Sequence, residues 1–202
     1  MNRFAFLLVA IASVLPAADP KLTAEERQKL LDLLEDSRAK LLEAVAGLSP
    51  AQWTYQPAPE RWSVGLVAEH MMRTEAGLFR KAEEALANPA NPEWEAKTKG
   101  KTEFLERIMP TRQGKAQAPV EVRPEGKLTR EEILGQFDEL RGRLQKLVRD
   151  TDPPLKAHTA EHFMKVFGTL SAHQWLLYIP WHTQRHLKQM AEVKADAGYP
   201  KN

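Results

Sequence analysis

Two histidines stand four residues apart in the stretch WHTQRHLKQM, which runs from Trp181 to Met190. Residues at positions i and i+4 of a helix are neighbours, with roughly 5–6 Å between their Cβ atoms. His182 and His186 can therefore direct their imidazoles toward one point, as two ligands of a single metal ion do. Such a pair also occurs by chance, so the interpretation depends on a third ligand and on which way the pair faces.

A third histidine, His70, is expected to face the same interior. Apolar residues recur around His182 and His186 at the three- and four-residue steps of a buried helix face, and His70 lies in register with Val67 and Met71. Three imidazoles with an open fourth position form a ligand set typical of catalytic zinc. The sequence therefore predicts a metal site at His70, His182 and His186. The alternative is a set of core histidines bonded to carbonyls or carboxylates.

The other three histidines are weaker candidates. His158 and His162 form a second pair at the same spacing, in HTAEH, but their segment lacks a sustained apolar stripe. We expect a loop there, with one turn of helix at most. His173 falls on the opposite side of its helix from Ile179 and His182, so we expect it to be solvated.

Acidic residues beside His70 are the candidates for a general base. Glu69 and Glu75 flank it in sequence, but we expect both on the solvated face of the helix. The catalytic residues therefore stay unknown at this stage. Trp62 and Trp181 are interpreted as packing residues.

Composition excludes several classes of function. The chain of 202 residues has a formal net charge of +2 and no cysteine. Disulfides, thiol nucleophiles and thiolate ligands are thus excluded, and a metal site must use His, Asp, Glu or water. Acidic and basic residues are interspersed without a basic stripe, so no nucleic-acid partner is expected.

The first eighteen residues have the layout of a secretory signal peptide. Arg3 is followed by an apolar run from Phe4 to Leu15, and then by small residues at Ala17 and Ala18. Twelve apolar residues are too few for a stable membrane span, which needs about 20. We therefore expect export to the periplasm or the extracellular space after removal of residues 1–18. Retention of the segment as a lipid-surface tether is the alternative.

Capping signals and helical periodicity predict four long helices. The predicted helices run from Ala24 to Ala46, from Val64 to Ala87, from a cap at Thr129 to a stop before Pro153, and from a cap at Ser171 to about Ala195. The long connection from Asn88 to Leu128 should contain a short helix at Lys101–Met109. No segment predicts a convincing strand. The expected fold is an all-α four-helix bundle with a long crossover between the second and third helices.

Two segments resemble the DinB-like (damage-inducible, YfiT-type) superfamily. They are LSPAQWTYQPAPERWSVGLVAEHMMRTE, around the second helix, and HFMKVFGTLSAHQWLLYIPWHTQRHLKQM, around the last. The resemblance implies an up-down-down-up four-helix bundle, here a domain over residues 22–196. It also implies a divalent metal ion, most often zinc or nickel, held by residues that match His70, His182 and His186. Relatives of this type include thiol-dependent S-transferases and isomerases.

Three functions are compatible with these observations. The first is a divalent-metal-dependent enzyme of hydrolase or transferase type acting on a small-molecule substrate. The second is a non-catalytic metal-binding or stress-related helical module. The third is a metal-free scaffold that binds a partner or lipid. A homodimer is a possible assembly for any of them.

Overall fold

The computed structural model describes residues 18–112 and 117–201. The elements of this part of the chain are α1 (Ala24–Val45), α2 (Pro50–Thr54), α3 (Val64–Ala87), α4 (Trp94–Thr98), α5 (Lys101–Ile108), a 3-10 turn (Val120–Val122), α6 (Arg130–Asp150), β1 (Thr159–Glu161), β2 (Thr169–Ser171) and α7 (Ala172–Lys194). The predicted signal peptide lies outside the described residues except for Ala18.

The four long helices begin where their predicted caps place them. The Thr23 hydroxyl accepts from the Glu26 N–H at 3.1 Å, while the Glu26 carboxylate accepts from the Thr23 N–H at 2.8 Å. Thr129 and Ser171 form the same reciprocal box at the starts of α6 and α7, and Ser63 caps α3. These boxes satisfy amide donors that have no partner inside a helix. The all-α bundle predicted from the sequence is confirmed.

The order of the helices in space differs from their order in the chain. Helices α3 and α1 each pack against both α7 and α6, so α1 and α3 lie diagonally across the bundle. Arg27, at the start of α1, donates to the carbonyls of Val148 and Thr151 at the end of α6. Asn88, at the end of α3, donates to the carbonyl of Thr159, which pairs with Ser171 at the start of α7. Helices α1 and α7 therefore start at the end where α3 and α6 finish, which gives the up-down-down-up topology.

This topology requires the crossover to run the length of the bundle. Because α3 and α6 point the same way, the chain leaving Asn88 must return to the opposite end before Thr129. On its way α5 packs against α7, and the 3-10 turn packs against α3. The crossover therefore covers the two helices that carry the three candidate histidines.

A short antiparallel hairpin corrects the expectation that the chain has no strand. Thr159–Glu161 pairs with Thr169–Ser171, with Ala160 opposite Leu170. The segment around His158 and His162 is thus a strand and its turn, not a loop with a turn of helix. The predicted helix at Lys101–Met109 is confirmed as α5, whereas the short helices α2 and α4 were not predicted.

The interior forms two apolar clusters along the bundle. One gathers residues near the starts of α1 and α7 with the hairpin, including Leu30, Phe167 and Trp175. The other lies toward the opposite end and includes Val67, Met71 and neighbours on every long helix. No helix among residues 18–112 and 117–201 is both long enough and apolar enough to cross a membrane.

Candidate metal centre

The three predicted histidines converge between α3 and α7. One ring nitrogen from each of His70, His182 and His186 lies within 4.8 Å of the others. The ring centroids are 4.6 Å apart for His70 and His186, 5.3 Å for His70 and His182, and 4.3 Å for the pair on α7. The inward face of each helix, predicted from its apolar stripe, therefore brings three residues from two distant parts of the chain together.

His70 has a defined tautomer because of its partner. Its Nδ1 lies 2.8 Å from the carbonyl oxygen of Val122, in the 3-10 turn of the crossover. A carbonyl can only accept, so Nδ1 of a neutral ring must carry the proton and donate. The free lone pair of His70 is then on Nε2. An outer hydrogen bond of this kind orients the histidines that bind metal ions in proteins.

His186 is fixed in the same way by Gln189. Its Nδ1 lies 2.8 Å from Oε1 of Gln189, and that oxygen also accepts from Nη1 of Arg112 at 3.3 Å. The guanidinium identifies the amide atom as the oxygen, because Arg112 can only donate. Nδ1 of His186 therefore donates, and its Nε2 carries the lone pair. Gln189 follows His186 by three residues on α7, so this partner was accessible from helical spacing alone.

Burial keeps these imidazoles neutral. Desolvation lowers the pKa of His70, although its bond to the Val122 carbonyl opposes the shift. Burial lowers the pKa of His186 to about 3, and the nearby His70 adds to the effect. The pKa of His182 lies well below its usual value, again mainly because of burial. At neutral pH all three rings are therefore neutral, and none carries a second proton that would have to be lost before a cation binds.

The donor set fits a divalent ion. Nε2 of His182 lies 3.0 Å from Nε2 of His186, and two ligands of a tetrahedral ion with metal–nitrogen bonds of 2.0–2.1 Å are about 3.4 Å apart. The largest separation in the set, up to 4.8 Å, requires a modest rotation of one ring. Neutral imidazoles, two of them with the proton held on Nδ1, are ligands that suit zinc and related ions.

Trp62 and the carbonyl of Val122 contact His70 from outside the two helices that carry the histidines. The Trp62 ring, half-buried in the loop before α3, lies 4.9 Å from the ring of His70, between centroids. Trp62 was interpreted from the sequence as a packing residue, and it is also a contact of the candidate site. Trp181 is an ordinary core residue, only 2% exposed. The carbonyl of Val122 could not be found from the sequence, since any residue carries one.

The two acids beside His70 are not on the solvated face, which corrects the prediction. Glu69 and Glu75 are 1% and 2% exposed. Both carboxylates are already bound: Glu75 pairs with Arg141, and Glu69 accepts from Arg73 and from two backbone amides. Neither is free to serve as a general base or a fourth ligand. In the described part of the chain, the group that could hold an ion contains three histidines and no carboxylate.

The rival histidines do not form a second metal site. His158 donates from Nδ1 to the Asn88 carbonyl at 2.8 Å. His162 is buried at the end of β1 and stacks on Trp175, with 5.0 Å between centroids, while its Nδ1 accepts from the Met164 N–H. The rings thus have separate partners.

His173 is buried, which corrects the prediction that it is solvated. Only 7% of its surface is exposed, and burial lowers its pKa to about 4. It lies in the first turn of α7, where the segment before the hairpin covers it: the backbone N–H of His173 donates to the carbonyl of Leu155 at 3.1 Å.

The fold and the converging histidines define an α-helical bundle with a candidate metal centre, and comparisons identify its family. A model of the DinB superfamily matches residues 33–190, and the chain belongs to this superfamily. The uncharacterized protein YuaE of Bacillus subtilis (strain 168) is 25% identical over 167 residues, which cover 81% of this chain and 96% of YuaE.

A solved structure supports the same fold. It is that of YfiT from Bacillus subtilis, described as a probable metal-dependent hydrolase with an unusual four-helix bundle topology. The two structures superpose with a TM-score of 0.60 over 94% of this chain and 97% of YfiT, at 18% sequence identity. The resemblance predicted from the sequence is confirmed at the level of family and fold.

Proposed function

We propose that this protein is a divalent-metal-dependent enzyme of hydrolase or transferase type, whose ion is held by His70, His182 and His186. The observation that carries the proposal is the approach of one nitrogen from each ring to within 4.8 Å of the others. The description of YfiT as a probable metal-dependent hydrolase favours hydrolysis over group transfer. Zinc and nickel are the proposed ions, because imidazole nitrogens suit both.

Hydrogen bonds to two of the histidines leave their Nε2 atoms free to coordinate such an ion. Val122 and Gln189 keep the protons of His70 and His186 on Nδ1, so that Nε2 of each ring is available. A bound divalent ion would act as a Lewis acid and lower the pKa of a water or substrate heteroatom that it coordinates. His70 and His186 are only 4% and 6% exposed, and such burial limits water and strengthens electrostatic interactions.

The number of ligands favours an enzyme over the alternative, a non-catalytic metal-binding or stress-related module. Structural zinc sites are normally closed by four protein ligands, whereas catalytic sites have three and keep one position open. Within residues 18–112 and 117–201, the candidate group has three members. Glu69 and Glu75, the nearest acids in sequence, are engaged elsewhere.

Elemental analysis of untagged protein tests whether an ion is bound. We expect about one equivalent of zinc or nickel in the wild-type protein and a loss of most of it in His182→Ala. His158→Ala is the matched control, since it removes a half-buried histidine bonded to Asn88 and should keep the ion. Equal metal content in all three proteins would contradict the proposed ligands.

A hydrolytic screen tests the reaction class. Protein reconstituted with zinc or nickel should hydrolyse at least one member of a panel of chromogenic carboxylic and phosphoric esters. His186→Ala, checked for folding by circular dichroism, should lose that activity. An inactive metal-loaded wild type across the panel would favour the non-catalytic module.

We also propose that the chain is exported, because the apolar run Phe4–Leu15 has the composition of a signal peptide. Mass analysis of the native N-terminus should then find a protein that starts at Ala18 or Asp19. Cytoplasmic protein with an intact Met1 would contradict export and would favour a thiol-dependent transferase instead.

A further inference from the structure

Glu69 precedes His70 on α3, and its buried carboxylate binds the crossover. Its Oε1 accepts from the Glu125 N–H at 3.0 Å, and its Oε2 accepts from the Gly126 N–H at 2.8 Å. Arg73, one turn further along α3, donates to the same Oε1 at 3.0 Å and also pairs with the Glu125 carboxylate at 3.1 Å. Glu69 is thus the centre of a clamp that holds residues 125–126 against the helix.

The clamp lies next to the hydrogen bond that fixes His70. The crossover passes the Val122 carbonyl, which accepts from Nδ1–H of His70 at 2.8 Å, and reaches Glu125 three residues later. Adjacent residues of α3 therefore bind one short segment in complementary ways: Glu69 accepts from its amides, and His70 donates to its carbonyl.

We propose that Glu69 is a positioning residue for His70. By holding Glu125 and Gly126, its carboxylate places the Val122 carbonyl where it keeps the proton of His70 on Nδ1 and leaves Nε2 with the lone pair. The proposal rests on the proposed function in one respect, that His70 is a metal ligand. Glu69 is not a member of the candidate ligand group and acts only through His70.

The chemistry of the clamp requires a carboxylate. Every partner of Glu69 is a donor: two backbone N–H groups and the guanidinium of Arg73. Glutamine has nearly the same shape but carries one NH₂ group, which would face a donor in either orientation of the amide. Glu69→Gln should therefore release part of the crossover with little change in volume.

Gly126 forms the other half of the contact. Its φ of +67° is in the left-handed region, and a Cβ at this position would lie 3.4 Å from Cδ2 of Leu66. A residue with a side chain adopts this conformation at a cost. Gly126→Ala should thus weaken the same contact from the side of the crossover, without changing any charge.

The test measures the tautomer of His70 and the affinity for zinc. In ¹⁵N-histidine-labelled, metal-free wild type, we expect the ¹⁵N shifts of His70 to show the proton on Nδ1. Glu69→Gln and Gly126→Ala should shift His70 toward a mixture of tautomers. Both should also weaken zinc binding about tenfold, measured by competition with a chromophoric chelator, since loss of outer contacts typically costs 10–100-fold.

Glu75→Gln is the matched control. It neutralises another buried carboxylate on α3, one that pairs with Arg141 and does not contact the crossover. We expect it to be less stable than wild type but to keep the His70 tautomer and the zinc affinity. This comparison separates positioning from a general loss of stability.

The outcomes distinguish the two proposals. If Glu69→Gln and Gly126→Ala keep the wild-type tautomer of His70, the positioning role is overturned, whatever happens to affinity. If the wild type binds neither zinc nor nickel, the proposed function fails, while a tautomer change confined to Glu69→Gln and Gly126→Ala would still support the positioning role.

Discussion

The carboxylate of Glu75 and the guanidinium of Arg141 form a two-pronged ion pair between α3 and α6. Nε lies 2.8 Å from Oε1, and Nη2 lies 2.6 Å from Oε2. Arg141 is fully buried and also donates to the Leu34 carbonyl and the Ser37 hydroxyl of α1. A single guanidinium therefore joins three of the four long helices.

Removing one charge of this pair should destabilise the fold strongly. Glu75→Gln leaves the Arg141 charge buried without a counter-ion, and breaking a buried pair in this way costs about 3–5 kcal/mol. We expect that loss in the free energy of unfolding, measured by urea denaturation. Glu84→Gln, which breaks an exposed pair with Lys81 on the same helix, should cost no more than about 1 kcal/mol.

A double variant separates the contribution of the Glu75–Arg141 pair to stability from that of the bonds between Arg141 and α1. Replacing both residues, as in Glu75→Leu with Arg141→Met, removes both buried charges and should cost less than Glu75→Gln alone. If the double variant is the less stable of the two, the bonds from Arg141 to α1 matter more than the pair itself.

The proposed ion should couple stability to metal supply. An ion that binds only the folded state stabilises it by about 4 kcal/mol at a thousandfold excess over Kd. His182→Ala should therefore lower the melting temperature more in zinc-replete buffer than in chelator. Equal losses in the two buffers would show that His182 is a core histidine without a metal role.

Acid should destabilise the fold partly through His173. Burial lowers its pKa from 6.5 to about 4, so between these values the unfolded chain binds a proton that the folded chain does not. The stability that neutral His173 contributes is therefore complete above about pH 6.5 and is lost as the pH falls toward 4. The slope from one such group is at most about 1.4 kcal/mol per pH unit.

The corresponding measurement compares unfolding free energies in chelator at several pH values. His173→Gln removes the titrating imidazole. The unfolding free energy of this variant should therefore fall less steeply than that of the wild type between pH 6.5 and 4. The comparison concerns slopes, and a constant offset from lost packing does not affect it. If the unfolding free energies of the two proteins depend on pH in the same way, the lowered pKa of His173 is contradicted.

The long helices and the histidine convergence were predictable because their signals are local. A capping box lies within four residues, and an apolar stripe within a few turns. The side of α3 that carries His70 follows from Val67 and Met71 alone. Two inward faces in a small bundle then predict that His70, His182 and His186 can meet at one point, with separately bonded core histidines as the alternative.

The surroundings of the site depend on contacts between distant residues. Glu69 was expected to be solvated, since periodicity places polar residues outside, yet its partners lie 56 and 57 positions away in the crossover. Likewise, Arg141 follows Glu75 by 66 positions. The strands of the hairpin have three residues each, which is too short for alternation to be recognised.

The last prediction concerns access to the centre. His182 is half-buried, unlike His70 and His186, and the half-buried Trp62 lies beside His70. An ion with three protein ligands would have a position for one more, and we predict that a small ligand reaches it from the side of His182 and Trp62. A structural site closed by four protein ligands would have no such position.

Cobalt substitution makes this access measurable, because the visible spectrum of the ion responds to a new ligand. We expect azide at millimolar concentration to change the spectrum of the cobalt-loaded wild type, since the open position can take an anion. Perchlorate at the same ionic strength, which coordinates poorly, is the control and should leave the spectrum unchanged. If azide has no more effect than perchlorate, the centre is closed, and the non-catalytic metal-binding module becomes the better description of this protein.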